Sequence, residues 1–298
     1  MRSSLRRFHR LRELAQLARF IGRAPDTHAF QQLDVAQASL VASWRGLLQS
    51  GQILPFDAVG FQAYSENEED GILLYIFTVA GTTNKTVVEI SSQDGRTCMA
   101  SNLIIHHRWS GFLFDGDASF VTNGRRFFGR HPATRSFPPT FEARWFDRDN
   151  VNSVLAELNV PSEIDLLSLD VDGNDLYLWD ALSVTRPRVL VCEFNNIVPS
   201  DRSVTIPYAA DFSWHKLPAK HQFFRSASLL AFTRVSRIKG YRLVGWNAQG
   251  YNAFFLRDDV APGIFPARAP DELDGNPFTM AMRKMHWKDI AHLPWVEI

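Results

Sequence analysis

The sequence predicts an α/β fold around an open, mostly parallel sheet. From residue 86 onward, short β-branched or leucine-rich runs alternate with helical patterns. That alternation gives parallel strands joined by right-handed helical crossovers. Each run ends in a polar turn, usually one that carries a carboxylate. Two late runs, 241–246 and 252–257, are separated only by the short turn Asn247-Ala-Gln-Gly250, so they are expected to pair as an antiparallel hairpin.

Taken in order, residues 2–23 place Leu5, Phe8, Leu11 and Ile21 on one helical stripe with arginines on the other face. Packing on its own domain or on a second copy is favoured over a membrane-surface role, and a homodimer is compatible with it. Residues 34–50 form a second helix with Leu40, Trp44, Leu47 and Leu48 inward, Asp34 as N-cap and Gly51 as stop. Residues 61–77 form a third, opened by a Ser65/Glu68 capping box with acids crowding its first turn. Strands are expected at 86–90, 111–115, 141–146, 164–170 and 188–193, and helices at 96–105, 151–158, 176–182 and 228–239. Residues 121–140 read as a loop, and its basic group Arg125, Arg126, Arg130 and His131 is either solvated or a lid for an anionic acceptor. The expected division is 1–58 helical extension, 59–260 ligand-binding domain, and 261–298 a tail packed on that domain or on a partner.

Composition narrows the function. The chain of 298 residues balances 32 basic against 32 acidic side chains, which gives no reason to expect a nucleic-acid partner. Cys98 and Cys192 form no CxxC pair, so neither a disulfide scaffold nor a zinc cluster is indicated, and a reducing, cytoplasmic setting fits. No apolar run approaches the roughly 18 residues of a membrane span. The basic start has no apolar segment behind it to make a secretory signal.

In open parallel sheets ligands bind off the carboxyl ends of the strands. Those ends are 89–95, 115–117, 146–150, 170–175 and 193–196, all polar. A single acid at such a position is more often a helix cap; five polar ends together favour a site. Thr86-Val-Val-Glu89-Ile-Ser91-Ser-Gln93-Asp-Gly95 is the first of them. It lacks the G-x-G-x-x-G of a dinucleotide loop, and no G-x-x-x-x-G-K-[ST] occurs anywhere. A glycine-poor loop behind an acid, with Asp115 at the end of the next strand, suits a ligand without phosphate. The ligand that fits is S-adenosyl-L-methionine (SAM), its ribose on the second-strand carboxylate and its sulfonium amino acid on the first loop.

Residues 64–70, 88–95, 113–117 and 192–195, and above all Leu166-Leu-Ser-Leu-Asp170-Val-Asp172-Gly-Asn-Asp175, resemble the FkbM-type branch of class I SAM-dependent methyltransferases over roughly residues 60–257. The resemblance implies a Rossmann-like, seven-stranded sheet with an antiparallel last strand. It also implies methyl transfer to an oxygen, often a hydroxyl of a sugar, polysaccharide or natural product, so the expected partner is a small-molecule or glycan acceptor. Glu89, Ser91, Gln93 and Gly95 would line the methionine side. Asp115 would hold the ribose, Gly116 would permit close approach, and Asp147 or its neighbours Phe146 and Asn150 would flank the adenine. Asp170 would sit near the transferring methyl. Asp172, Glu193, His107 and His221 are candidate bases for the acceptor hydroxyl. Asp170, Asp172 and Asn195 offer oxygens to Mg²⁺, with a plain turn and helix cap over 172–175 as the equal alternative. The family has glycine where Ser91 and Ser226 stand here, and a serine held at positive φ costs on the order of a kcal/mol. A methyltransferase-fold binding or scaffolding protein, or a SAM-using enzyme that does not transfer methyl groups, are therefore the competing expectations.

Overall fold

The computed structural model describes residues 27–298; the helix expected over 2–23 lies outside the described residues. Helix α1 (Thr27–Gln49) begins ahead of Asp34 and stops at Gly51, which has a φ of 78°. Then follow α2 (Glu69–Ala80), β1 (Thr86–Ile90), α3 (Met99–His107), β2 (Ser110–Asp115), α4 (Ala118–Arg130) and β3 (Thr140–Ala143). Next come α5 (Val151–Glu157), β4 (Glu163–Leu169), α6 (Asp175–Ala181), β5 (Arg186–Glu193) and the two-residue β6 (Val204–Thr205). The chain closes with α7 (Leu229–Ile238), β7 (Tyr241–Trp246), β8 (Asn252–Arg257), α8 (Pro277–Ile290) and β9 (Val296–Glu297). Residues 44–298 form one compact unit, and the described residues before them belong to another.

The seven main strands lie in the order β3-β2-β1-β4-β5-β8-β7. The first five are mutually parallel, and β8 runs antiparallel to both of its neighbours. This is the Rossmann-like, seven-stranded sheet that the sequence resemblance implies, and the expected hairpin is its β7–β8 edge. Leucine, valine and isoleucine on β1, β4 and β5 are buried throughout, as a parallel sheet covered by helices on both faces requires. Both cysteines are free and buried, Cys192 on β5 and Cys98 at the start of α3.

Two expectations need correction. Residues 121–130 are helical, forming most of α4. Asn123-Gly124-Arg125 reads as a turn, but Val121, Gly124 and Phe128 recur at helical spacing and are buried, and that burial outweighs the local turn propensity. Within the supposed lid, Arg125 Nε donates to the Phe141 carbonyl at 2.6 Å, and His131 is buried. The Ser65/Glu68 capping box also does not form. Ser65 instead pairs reciprocally with Asp70: the Asp70 amide donates to Ser65 Oγ, and the Ser65 amide donates to Asp70 Oδ2. Helix α2 therefore starts only at Glu69.

The tail packs in the same unit as the sheet. Strand β9 pairs antiparallel with β6. Trp295 meets Phe224 edge-on with centroids 4.6 Å apart, and Ile290 is fully buried beside them. Among the described residues no helix is long and apolar enough to cross a membrane.

Candidate functional site

The strand order reverses direction between β1 and β4, and an open α/β sheet leaves its ligand crevice at such a switch point. A cavity of about 530 Å³ lies there, within the range of small-molecule sites. Ile90 and Ser91 enter it from the end of β1, and Asp115 to Asp117 from the end of β2. Trp145 and Phe146 come from beyond β3, Val171 and Asn174 from beyond β4, and Phe212 from the segment after β6. A much smaller pocket of about 30 Å³ adjoins through Ser91, which lines both; Glu66, Gln93 and Asp170 are among its walls.

Asp115 is nine-tenths buried at the tip of β2. Its Oδ2 accepts the Gln93 amide at 2.9 Å and its Oδ1 the Asp117 amide at 2.8 Å. A carboxylate has about four lone-pair positions, so two remain for a ligand. Burial pushes its carboxyl above the usual range, and the two amides partly offset that. Gly116 leaves room for the ring of Trp145, since a Cβ there would lie 2.9 Å from a ring carbon. Phe146 packs edge-on against Phe114 at the cavity floor.

The first loop is strained where the sequence predicts. Ser91 has a φ of 72° and Gln93 a φ of 48°. The amides of Ser91 and Ser92 both donate to the Phe114 carbonyl at 2.8 Å, which anchors the bend to β2. Gln93 Nε2 reaches Glu66 Oε1 at 3.2 Å, so one acid of the 66–70 group does face this loop. Glu89 lines the small pocket, and its Oε1 and Oε2 accept the amides of Met99 and Ala100 and cap α3. Burial pushes its carboxyl up to about 7 against those bonds.

A second polar group lies off β4 and β5. Oxygen atoms of Asp170, Asp172 and Glu193 lie within 4.8 Å of one another. Burial, then the charges of Glu193, Asp172, Asp175 and Glu66, push Asp170 well above the carboxylate range. Burial likewise pushes Glu193 up to about 8 against the pull of the Arg225 guanidinium. Arg225 Nη1 is 2.5 Å from Asp172 Oδ1, and Nη2 is 3.4 Å from Glu193 Oε1. Glu193 Oε2 is buried without a hydrogen-bond partner.

Four predicted site residues are placed elsewhere. His107 ends α3, a helix that starts beside Glu89 and runs back along the sheet, and its carbonyl accepts from Lys85 just before β1. It therefore lies at the amino edge, opposite the cavity. Asp147 Oδ1 accepts the amides of Asp149 and Asn150 and shapes the turn into α5; Phe146 lines the cavity and Asp147 does not. Gly95, at a φ of 74°, faces Phe128, whose ring a Cβ would meet at 2.5 Å, so its role is packing. Asn195 donates to the carbonyls of Phe223 and Arg225, and its Oδ1 accepts from Ile197, so Glu193 rather than Asn195 joins the two aspartates. With Arg225 between Asp172 and Glu193, these residues do not fit a bound Mg²⁺. Sequence reasoning missed Arg144, Trp145, Phe212 and Arg225, whereas Asn174 falls within the expected strand end 170–175. The segment 224–228 drew notice only for Ser226, and Phe212 reaches the site from a loop without any local pattern.

No protein-family model matches the chain, and no curated protein matches it either. Among solved structures, an O-methyltransferase from Bacillus cereus in complex with SAH is 12% identical, covering 82% of this chain and 96% of that one, with a TM-score of 0.42. An O-methyltransferase family protein from Burkholderia thailandensis is 16% identical over 65% of this chain and 59% of that one, TM-score 0.40. An S-adenosylmethionine-dependent methyltransferase from Clostridium acetobutylicum is 8% identical over 74% and 97%, TM-score 0.39.

Proposed function

We propose that this protein binds SAM across the carboxyl edge of its sheet and transfers the methyl group to a hydroxyl of a sugar, polysaccharide or natural product. The observation that carries the reading is Asp115, a buried carboxylate on the wall of the switch-point cavity with acceptor capacity left over. SAM supplies an electrophilic methyl group. Asp115 accepts the two ribose hydroxyls, and Trp145, Phe146 and Phe212 enclose the adenine. Gln93 and Ser91 meet the methionine end, with carboxyl oxygens of Asp170 and Glu66 beyond it as acceptors for its ammonium. Glu193, in its ionised form beside Arg225, takes the proton of the acceptor hydroxyl as the new oxygen–carbon bond forms and the sulfur–carbon bond breaks. Positioning and proton removal are all that such a displacement asks of the protein.

A specific observation favours a second reading. Ser91 stands at the junction of the large cavity and the 30 Å³ pocket, where the methionine end would have to pass. A methyltransferase-fold protein that binds a nucleoside or a partner without transferring methyl groups would tolerate that constriction. Incubation with methyl-labelled SAM and a panel of glycans and hydroxylated natural products, read by mass spectrometry, separates the two. A methyl ether on an acceptor supports transfer; adenosyl-ligand binding with no labelled product supports the second reading.

A further inference from the structure

The three carboxylates off β4 and β5 form the kind of oxygen cluster that divalent cations use, yet a guanidinium already sits among them. The backbone on both sides of Arg225 is tied down. Asn195 Nδ2 donates to the Phe223 and Arg225 carbonyls at 2.7 and 2.8 Å, and the Asn195 amide donates to the Ala227 carbonyl at 2.8 Å. Ser226, at a φ of 53°, directs its hydroxyl to Asp175 Oδ2 at 3.2 Å. The Arg225 guanidinium carbon lies 5.2 Å from the Trp214 ring centroid, within cation–π range. A strained residue and three anchoring bonds thus hold one side chain in the cluster, and its planar fork spans Asp172 and Glu193. Mg²⁺ needs near-octahedral oxygen donors at about 2.0–2.1 Å. The donors most accessible to it are already bonded to a fixed positive charge, which would also repel a dication only a few ångströms away.

We infer that Arg225 is the resident cation of this site, positioning Asp172 and Glu193 in place of a divalent metal ion, so that the acceptor side works without one. The part concerning methyl transfer rests on the function proposed above; the exclusion of metal does not.

Calorimetric titration with Mn²⁺, supported by its electron spin resonance signal, tests the inference on the full chain. The wild-type protein is expected to show no binding at this cluster up to millimolar Mn²⁺. Arg225→Ala, or Arg225→Gln if the alanine variant does not fold, is expected to bind Mn²⁺ at least tenfold more tightly than wild type. Adding Asp172→Asn is expected to abolish that gain, and Arg225→Lys to keep the metal out. Wild-type binding that Asp172→Asn removes would overturn the inference, as would a folded Arg225→Ala or Arg225→Gln variant that gains no affinity. Because Mn²⁺ binding is read without SAM, failure of the methyl-transfer reading and failure of this inference remain distinguishable.

Discussion

The amide of Gln93 and the carboxylate of Asp115 are joined by a 2.9 Å hydrogen bond, which makes the loop after β1 and the tip of β2 one wall of the cavity. Asp115→Ala removes the ligand acceptor and leaves the Gln93 and Asp117 amides without their partner. SAM affinity is expected to fall by about 1.5–3 kcal/mol, the value of hydrogen bonds to a charged acceptor. The melting temperature falls as well. Asp115→Asn keeps one acceptor oxygen and is expected to lie between wild type and alanine in both measurements. Unchanged affinity in Asp115→Ala would remove this residue from the site.

Ser91→Gly is expected to improve both stability and binding. The left-handed conformation costs a non-glycine residue about 1–2 kcal/mol, and the greater freedom of glycine in the unfolded chain returns part of that. The net gain is about 0.5–1 kcal/mol, readable in chemical denaturation. Removing the side chain also opens the passage between the two cavities, so SAM affinity rises. Lower affinity in the glycine variant would mean that the hydroxyl contacts the ligand.

Asp165 anchors the opposite end of the sheet. It is fully buried and accepts the amides of Thr83, Asn84 and Lys85 together with an Arg188 Nη1 contact at 2.9 Å. Burial alone would raise its carboxyl, but Arg188 and the three amides outweigh that and hold it below the usual range. A lowered folded value means that the stability is present above the unfolded value, near 3.9, and is lost as pH falls through the folded one. Asp165→Asn is expected to cost about 3 kcal/mol at neutral pH, as breaking a buried pair does, and progressively less as the pH is lowered, as denaturation curves across that range will show.

Glu89 has the opposite sign. Its folded value is raised to about 7, so the folded state holds the proton more tightly than the unfolded chain. Stability is fullest below the unfolded value of about 4.5 and declines as pH rises toward 7. Glu89→Gln is expected to flatten that decline between pH 5 and 7, with the amide oxygen still capping one N–H of α3. An unaltered slope would place the titration on another group, Asp70 being the nearest candidate, with a value near 6.

Much of this architecture is legible in the sequence because strand and helix leave different periodicities. The runs at 86–90, 241–246 and 252–257 match β1, β7 and β8 residue for residue, and the polar strand ends mark the crevice. The positive φ at Ser91 and at Ser226 is legible through the family resemblance, which has glycine at both positions. Helix α4 is hidden in the sequence because Asn123-Gly124 is a turn-forming pair, whereas Gly124 is buried in the helix and gives room to the ring of Phe141. His107 was misplaced because residue type suggests chemistry while helix length decides the edge of the sheet: nine residues rise about 13 Å. Arg225 was invisible because its meaning depends on residues 32 and 53 positions away, Glu193 and Asp172, whose approach only the tertiary fold produces.

Glu193→Gln keeps the size of the side chain and one acceptor oxygen but cannot take a proton. In a transfer assay it is expected to lower kcat by 10²- to 10⁴-fold, the usual contribution of a positioned base, with SAM affinity within a factor of about three of wild type. Equal losses in affinity and turnover would mean that Glu193 shapes the cofactor side instead.

The most direct measurement of the central claim is isothermal calorimetry of the wild-type protein with SAM and with its demethylated product. Saturable binding of both at a stoichiometry of about one, weakened by Asp115→Ala, is the predicted result. No heat from either ligand at millimolar concentration, with the protein folded, would contradict it.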